Sequence, residues 1–129
     1  MLIAIDHGNK QIKTVHAKPF TSGLIQSDAP GFGTDYLAYQ GKFYALTDQR
    51  IPYRRDKTED ERFFILTLFA IAYEIEATEQ YSDNLMRVQL AVGLPSAHFG
   101  VQSKRFTAYF EGRGAISFQF CGKSYAIFI

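Results

Sequence analysis

Apolar residues recur along this chain in two rhythms, at alternate positions and at the three-to-four-residue spacing of a helix, with Gly, Pro and polar clusters between the segments. Residues 2–5 form a short apolar run suited to a strand covered on both faces. Asp6, His7, Gly8, Asn9 and Lys10 make a turn, and residues 11–17 read as a second strand in which Ile12, Thr14 and His16 alternate with Lys13, Val15 and Ala17. The chain therefore opens as strand, tight turn, strand, and not as strand, turn, helix. Residues 19–27 read as a third strand, and residues 28–35, with Pro30, Gly31 and Gly33, as a loop. A hairpin follows over residues 37–46. Its turn is Gln40-Gly41, where Gly supplies the positive φ that a two-residue turn requires.

The clearest helix spans residues 58–78. Thr58 can cap it and Glu61 can reach back, while the acidic first turn suits the helix dipole. Phe64, Leu68, Ile71, Tyr73 and Ile75 make it apolar on nearly every face, so it should lie under other structure. Residues 87–92 read as a strand leading into Gly93-Leu94-Pro95. Ser96 then caps a second helix, with Phe99, Phe106, Tyr109 and Phe110 at helical spacing and Gly112 as its stop. The end is another hairpin: Ile116, Phe118 and Phe120 alternate, Cys121-Gly122 turns, and Tyr125, Ile127 and Ile129 alternate on the return. The sequence ends inside an apolar strand, an odd place for a domain to finish. It contains no internal repeat or low-complexity segment.

A length of 129 residues argues for one compact domain with a sizeable core, and 12 Phe, 8 Tyr and no Trp make that core aromatic. Nothing in a net charge of +1 points to a polyanionic partner. The single cysteine, Cys121, excludes an internal disulfide framework and fits a reducing compartment. The longest apolar run, residues 63–75, is interrupted by Thr67 and Glu74, which marks a buried helix and not a membrane span. The apolar start is stopped by Asp6, far short of a secretory signal. The expectation is a soluble, cytoplasmic protein with no membrane partner.

The strongest chemical constellation is the opening turn. A carboxylate at the end of a buried strand, Asp6, calls for compensation, and hydrated Mg²⁺ supplies it through few carboxylates. Gly8 allows close approach of the backbone to a ligand. Successive N–H groups at Gly8, Asn9 and Lys10 can form an anion-binding nest, and Lys13 on the second strand can reach phosphate oxygens. The same Asp-x-Gly-Asn string is also ordinary hairpin turn chemistry.

The order of elements weights the choice between these two readings. The hairpin resembles the first phosphate loop of the actin, Hsp70 and sugar-kinase superfamily. Asp56-Lys57-Thr58 before the apolar helix containing residues 66–72, and Val92-Gly93-Leu94-Pro95 at a strand end, are similar to segments of the ParM/StbA type of actin-like ATPase. The terminal hairpin around Gly122-Lys123 resembles that family's next short strands, so the likeness extends over the whole chain. It implies an α/β fold: a ribonuclease-H-like actin-type ATPase domain, truncated, its mixed sheet built on opening hairpins with two main helices. Residues 1–129 would be the N-terminal domain, with the phosphate loop at 6–13 and a small inserted region at about 20–55, and the second domain absent. The implied cofactors are ATP and Mg. Asp6 would hold the Mg²⁺ water shell, Gly8 and Asn9 would meet the β- and γ-phosphates, and Lys10 and Lys13 would flank and contact them. Lys10 stands where Gly is common, and His7 is bulkier than the usual residue there. No catalytic residue is expected in this chain, because the second phosphate loop and the residue that positions water come later in the family. Alone the chain should not hydrolyse ATP and should bind nucleotide weakly at best. The implied partners are the protein itself, in a head-to-tail filament, and a DNA-bound adaptor used in plasmid segregation. Alternatives are a small-molecule kinase of the same superfamily and a non-enzymatic interaction module that keeps the fold.

Other features carry less. The basic group Arg50, Arg54, Arg55 and Lys57 lacks the aromatic interleaving of a nucleic-acid site and reads as a solvated edge, so no direct nucleic-acid contact is expected. His7, His16 and His98 lack metal-ligand spacing. Cys121 reads as a turn residue and not as a nucleophile.

Overall fold

The computed structural model describes residues 1–8, 10–30, 35–49, 61–93, 108 and 110–129. Among them are strands β1 (Leu2–His7), β2 (Gln11–Thr14), β3 (Phe20–Thr21), β4 (Leu24–Ser27), β5 (Tyr36–Tyr39) and β6 (Lys42–Leu46). Helix α1 (Glu61–Ala77) follows, then β7 (Met86–Arg87), β8 (Gln89–Gly93), β9 (Ala115–Phe120) and β10 (Lys123–Phe128). They form a four-stranded sheet in the order β3-β2-β1-β8 and a six-stranded sheet in the order β4-β6-β5-β9-β10-β7. Both sheets are mixed: β1 runs antiparallel to β2 and parallel to β8, while β10 runs antiparallel to β9 and parallel to β7.

Helix α1 lies between the two sheets, which explains why its sequence is apolar on almost every face. On the six-stranded side Phe64 meets Tyr39 at 5.5 Å between ring centroids and Phe69 meets Phe120 edge-on at 5.9 Å. On the four-stranded side Phe63 meets the His7 ring, and Thr67 and Glu74 bond to the opening hairpin. Each such fully buried large side chain contributes about 1.5–3 kcal/mol. The helix ends in a Schellman motif. The Gln80 N–H donates to the Ile75 carbonyl at 3.1 Å, the Glu79 N–H donates to the Glu76 carbonyl at 3.2 Å, and Glu79 adopts φ 55°. Its capping residue Thr58 lies outside the described residues. So do Ser96, Phe99, Phe106 and Tyr109 of the second expected helix, of which Ala108, Phe110 and Glu111 are helical and Phe110 stacks on Phe64.

Two strands read as continuous in the sequence are each divided between the sheets. Residues 19–27 break at Ser22-Gly23, so that β3 joins the smaller sheet and β4 the larger. The crossing brings two chain segments into contact: a Cβ on Gly23 would stand 2.3 Å from the Gln49 carbonyl oxygen and 2.5 Å from that of Thr47. Residues 87–92 break at Val88. The Val88 N–H donates to the Phe128 carbonyl in the larger sheet, while the next N–H, of Gln89, donates to the Met1 carbonyl in the smaller. The strand run also starts one residue earlier than expected, at Met86.

The hairpin turns match their sequence signals. Gln40 and Gly41 take φ 49° and 80°, and Cys121 and Gly122 take φ 50° and 82°, which are type I′ turns. Ile116, Phe118, Phe120, Tyr125 and Ile127 all point into the core.

Candidate functional site

Strand β1 runs to His7, two residues beyond the expected end, and β2 begins at Gln11, so the connection is short. The register sets Asp6 opposite Lys13 and His7 opposite Ile12, with Asp6 also beside Gly93 of the parallel neighbour β8. Alternation then separates two faces. Ile3, Ile5, His7 and Ile12 are buried against α1. Ala4, Asp6, Lys13 and Ala91 stand on the opposite face, where with Val15 and Gly93 they line an open cleft.

This arrangement changes two expectations. Among the described residues the outer face of β1 is open, with Leu2 69 % exposed and Asp6 exposed, so the strand is covered on one face only. The Asp6 carboxylate is in contact with water, and its charge needs no buried counter-ion. Desolvation of Asp6 therefore gives no reason for a bound cation, and Asp6 is a candidate ligand by its position beside Lys13 and Gly93. The second change concerns His7. It is fully buried and points away from the cleft, so its bulk does not enter the turn's outer side.

Gly8 is needed for space: a Cβ there would lie 2.8 Å from the Gln11 carbonyl oxygen. Lys10 is exposed beyond the turn and outside the cleft lining, and its carbonyl accepts the Ser22 N–H at 3.1 Å. Asn9 lies outside the described residues. Among the described residues neither Asp6 nor Lys13 is held in an ion pair. A carboxylate and an ammonium stand side by side at the end of the central strand, both uncommitted. Gly93 stands against the carboxylate: a Cβ there would be in ordinary contact with an Asp6 oxygen, at 3.6 Å.

Behind this face lie polar contacts between the opening hairpin and helix α1. The His7 Nε2 and Thr67 Oγ1 atoms are 2.8 Å apart, and the Thr67 hydroxyl donates to the Phe63 carbonyl at 2.8 Å. A hydroxyl has one proton, so Thr67 accepts from His7 and the ring carries its proton on Nε2. Seven residues further along α1, the Glu74 carboxylate accepts the His16 and Ala17 backbone N–H groups at 3.1 Å each and also pairs with the His16 ring. Burial alone would push the Glu74 carboxyl up, but the hydrogen bonds from His16 and Ala17 outweigh it and hold it below the ordinary value. The only sequence signal for these contacts was the pair of polar interruptions, Thr67 and Glu74, in an apolar helix.

The remaining candidates fall away from the cleft. Cys121 sits in its turn with the thiol donating to an Asp35 carboxylate oxygen at 3.5 Å, and burial together with that carboxylate pushes the thiol up, away from the reactive thiolate. The basic residues Arg50, Arg54, Arg55 and Lys57, and His98, lie outside the described residues. Among the described residues no group of three or more His, Cys, Asp or Glu could by itself hold a metal ion, and no helix is long and apolar enough to cross a membrane.

An opening hairpin on a mixed sheet, a parallel crossover through a buried helix to β8, and a second set of hairpins packed on that helix define an actin-like fold. The chain is similar to the apo ParM protein of pSK41 (TM-score 0.75, 13 % identity, 99 % of this chain and 46 % of that one). It is also similar to an AlfA filament bound to AMPPNP (TM-score 0.70, 18 % identity, 99 % and 51 %) and to an archaeal actin homologue, Ta0583 (TM-score 0.73, 12 % identity, 99 % and 43 %). The chain thus spans about half the length of the solved chains it matches. No protein-family model and no curated protein matches the sequence.

Proposed function

We propose that this chain is the N-terminal, phosphate-facing half of an actin-like protein that binds Mg-ATP and assembles head-to-tail into filaments. The observation that carries the reading is the uncommitted Asp6–Lys13 pair on the open face of β1 and β2, next to a turn where Gly8 admits no side chain. The exposed Asp6 carboxylate suits a Mg²⁺ ion that keeps its water shell, and the Lys13 ammonium suits phosphate oxygens. By the resemblance, backbone N–H groups of Gly8, Asn9 and Lys10 would meet the phosphates. The AlfA filament named above carries AMPPNP, an ATP analogue, which supports nucleotide as the ligand and self-association as the outcome. Head-to-tail contacts are heterologous and need not close, as a filament requires. A role in plasmid segregation, through a DNA-bound adaptor, follows from the resemblance of the motifs to the ParM type.

Phosphoryl transfer depends on groups positioned from both sides of the phosphate chain. This half provides one side, so alone it binds nucleotide weakly at best and without turnover. The test is a titration of the isotope-labelled chain with Mg-ATP and with Mg-pyrophosphate, followed by amide NMR. Shifts concentrated at Gly8, Lys10 and Lys13, and lost in Asp6→Asn and Lys13→Ala, are expected. Shifts scattered over the surface, or unchanged in both variants, would remove the reading.

A further inference from the structure

We propose that Thr67 and Glu74 are positioning residues through which helix α1 clamps the opening hairpin at two points and holds Asp6, Gly8 and Lys13 in their ligand-receiving geometry. The inference rests on the phosphate reading of the hairpin and adds to it the part played by the interior.

Among the described residues the buried polar side chains are His7, Ser22, Thr67 and Glu74, and three of these four form the two contacts. Polar groups in such positions add little net stability over well-packed apolar ones, but they fix which partner meets which. The first clamp acts on β1. His7 is wedged between the Thr67 hydroxyl and the edge of Phe63, whose ring centroid lies 6.3 Å away. His7 sits between Asp6 and Gly8, so holding its ring inward holds Asp6 outward. A slip of one residue would exchange the two faces and bury the carboxylate. His7 is the sole polar member of the inward row Ile3, Ile5 and His7, so its hydrogen bond distinguishes the correct register where apolar packing alone discriminates less.

The second clamp acts just past β2. The chain bends after Thr14, and both Glu74 oxygens take the N–H groups that the bend releases, from His16 at 3.2 and 3.1 Å and from Ala17 at 3.1 Å. Lys13 thereby stands on the strand that leads into an anchored bend. Thr67 and Glu74 stand about two helical turns apart and so share one face of α1. The same helix also packs on the six-stranded sheet, through Phe64 against Tyr39 and Phe69 against Phe120. The turn is held by a rigid element and not left to its own loop entropy.

The test compares Thr67→Val, Thr67→Ser and Glu74→Gln with the unaltered chain. Amide exchange of the hairpin is measured without ligand, and affinity is measured with Mg-pyrophosphate. Thr67→Val is expected to speed exchange at Gly8 and Ile12 and to weaken pyrophosphate about tenfold, the usual scale for losing a supporting hydrogen bond. Thr67→Ser, which keeps the hydroxyl, is expected to restore both, and Glu74→Gln to show a smaller loss centred on Lys13. Hairpin exchange and affinity unchanged in Thr67→Val overturn the proposal. If that variant does not fold, unaltered exchange and affinity in Glu74→Gln overturn it instead. If the unaltered chain gives no hairpin shift with pyrophosphate, the phosphate reading falls, and exchange in the unliganded variants still decides the clamp.

Discussion

The hairpins at the two ends of the chain are built on opposite plans. β9 and β10 are closed by the shortest turn available, Cys121-Gly122, and send Phe118, Phe120 and Tyr125 inward to pack on one another and on α1. Their polar contacts are peripheral: the Tyr125 hydroxyl donates to Glu76 at 2.9 Å and the Tyr81 hydroxyl to the Ser124 carbonyl at 2.7 Å. β1 and β2 carry smaller apolar side chains, use a longer connection, and are tied to the helix by an imidazole, a hydroxyl and a carboxylate. Their outer face keeps two charges in water. The terminal hairpin is stabilised by area and needs no more precision than packing gives. The opening hairpin gives up apolar area for directed hydrogen bonds, which is how a segment is held in one geometry while its surface stays available.

The contrast can be broken most sharply by truncation on each side. Phe120→Ala should cost about 3–5 kcal/mol, since the ring is buried against Phe69, Tyr73 and Tyr125. The exposed Asp6→Ala should leave stability within about 0.5 kcal/mol. Urea denaturation of both variants checks this, and a large loss in Asp6→Ala would show that the open face contributes to the fold. A smaller effect is acid sensitivity. The Glu74 carboxyl is held below its ordinary value of 4.5, so its contribution is complete above that value and is lost as pH falls through the lower folded value. Thermal unfolding from pH 7 to pH 3 should fall in that acid range, and Glu74→Gln should flatten the fall. The smallest effect sharpens the picture of the terminal turn. Cys121 holds a left-handed φ of 50° that Asn tolerates better, so Cys121→Asn should raise stability by about 0.5 kcal/mol, read as a small rise in the thermal midpoint.

Part of the candidate site was legible in the sequence for the same reason as the hairpins. Asp6, Gly8 and Lys13 lie within one turn and its flanking strand, and period-two alternation places Asp6 and Lys13 on one face once the pairing is known. The open outer face and the inward direction of His7 were not legible. Both depend on which side of β1 receives helix α1, whose Thr67 lies 60 residues from His7.

The distinction between local and long-range pairing runs through the whole chain. Gln40-Gly41 and Cys121-Gly122 determined their turns because the positive φ they supply is a property of two adjacent residues. The all-round apolar face of residues 61–77 likewise determined that the helix would be covered. The breaks at Gly23 and Val88 were decided only by tertiary structure. Residues 87–92 read as a single strand because nothing within them says which sheet will take each N–H, and in residues 19–27 Ser22-Gly23 was a local sign of a break that did not say which sheet would take each side. Their partners are Leu46, Phe128 and Met1, brought there by the packing of two sheets on one helix, and a hydrogen bond to a distant strand leaves no mark on the segment that makes it.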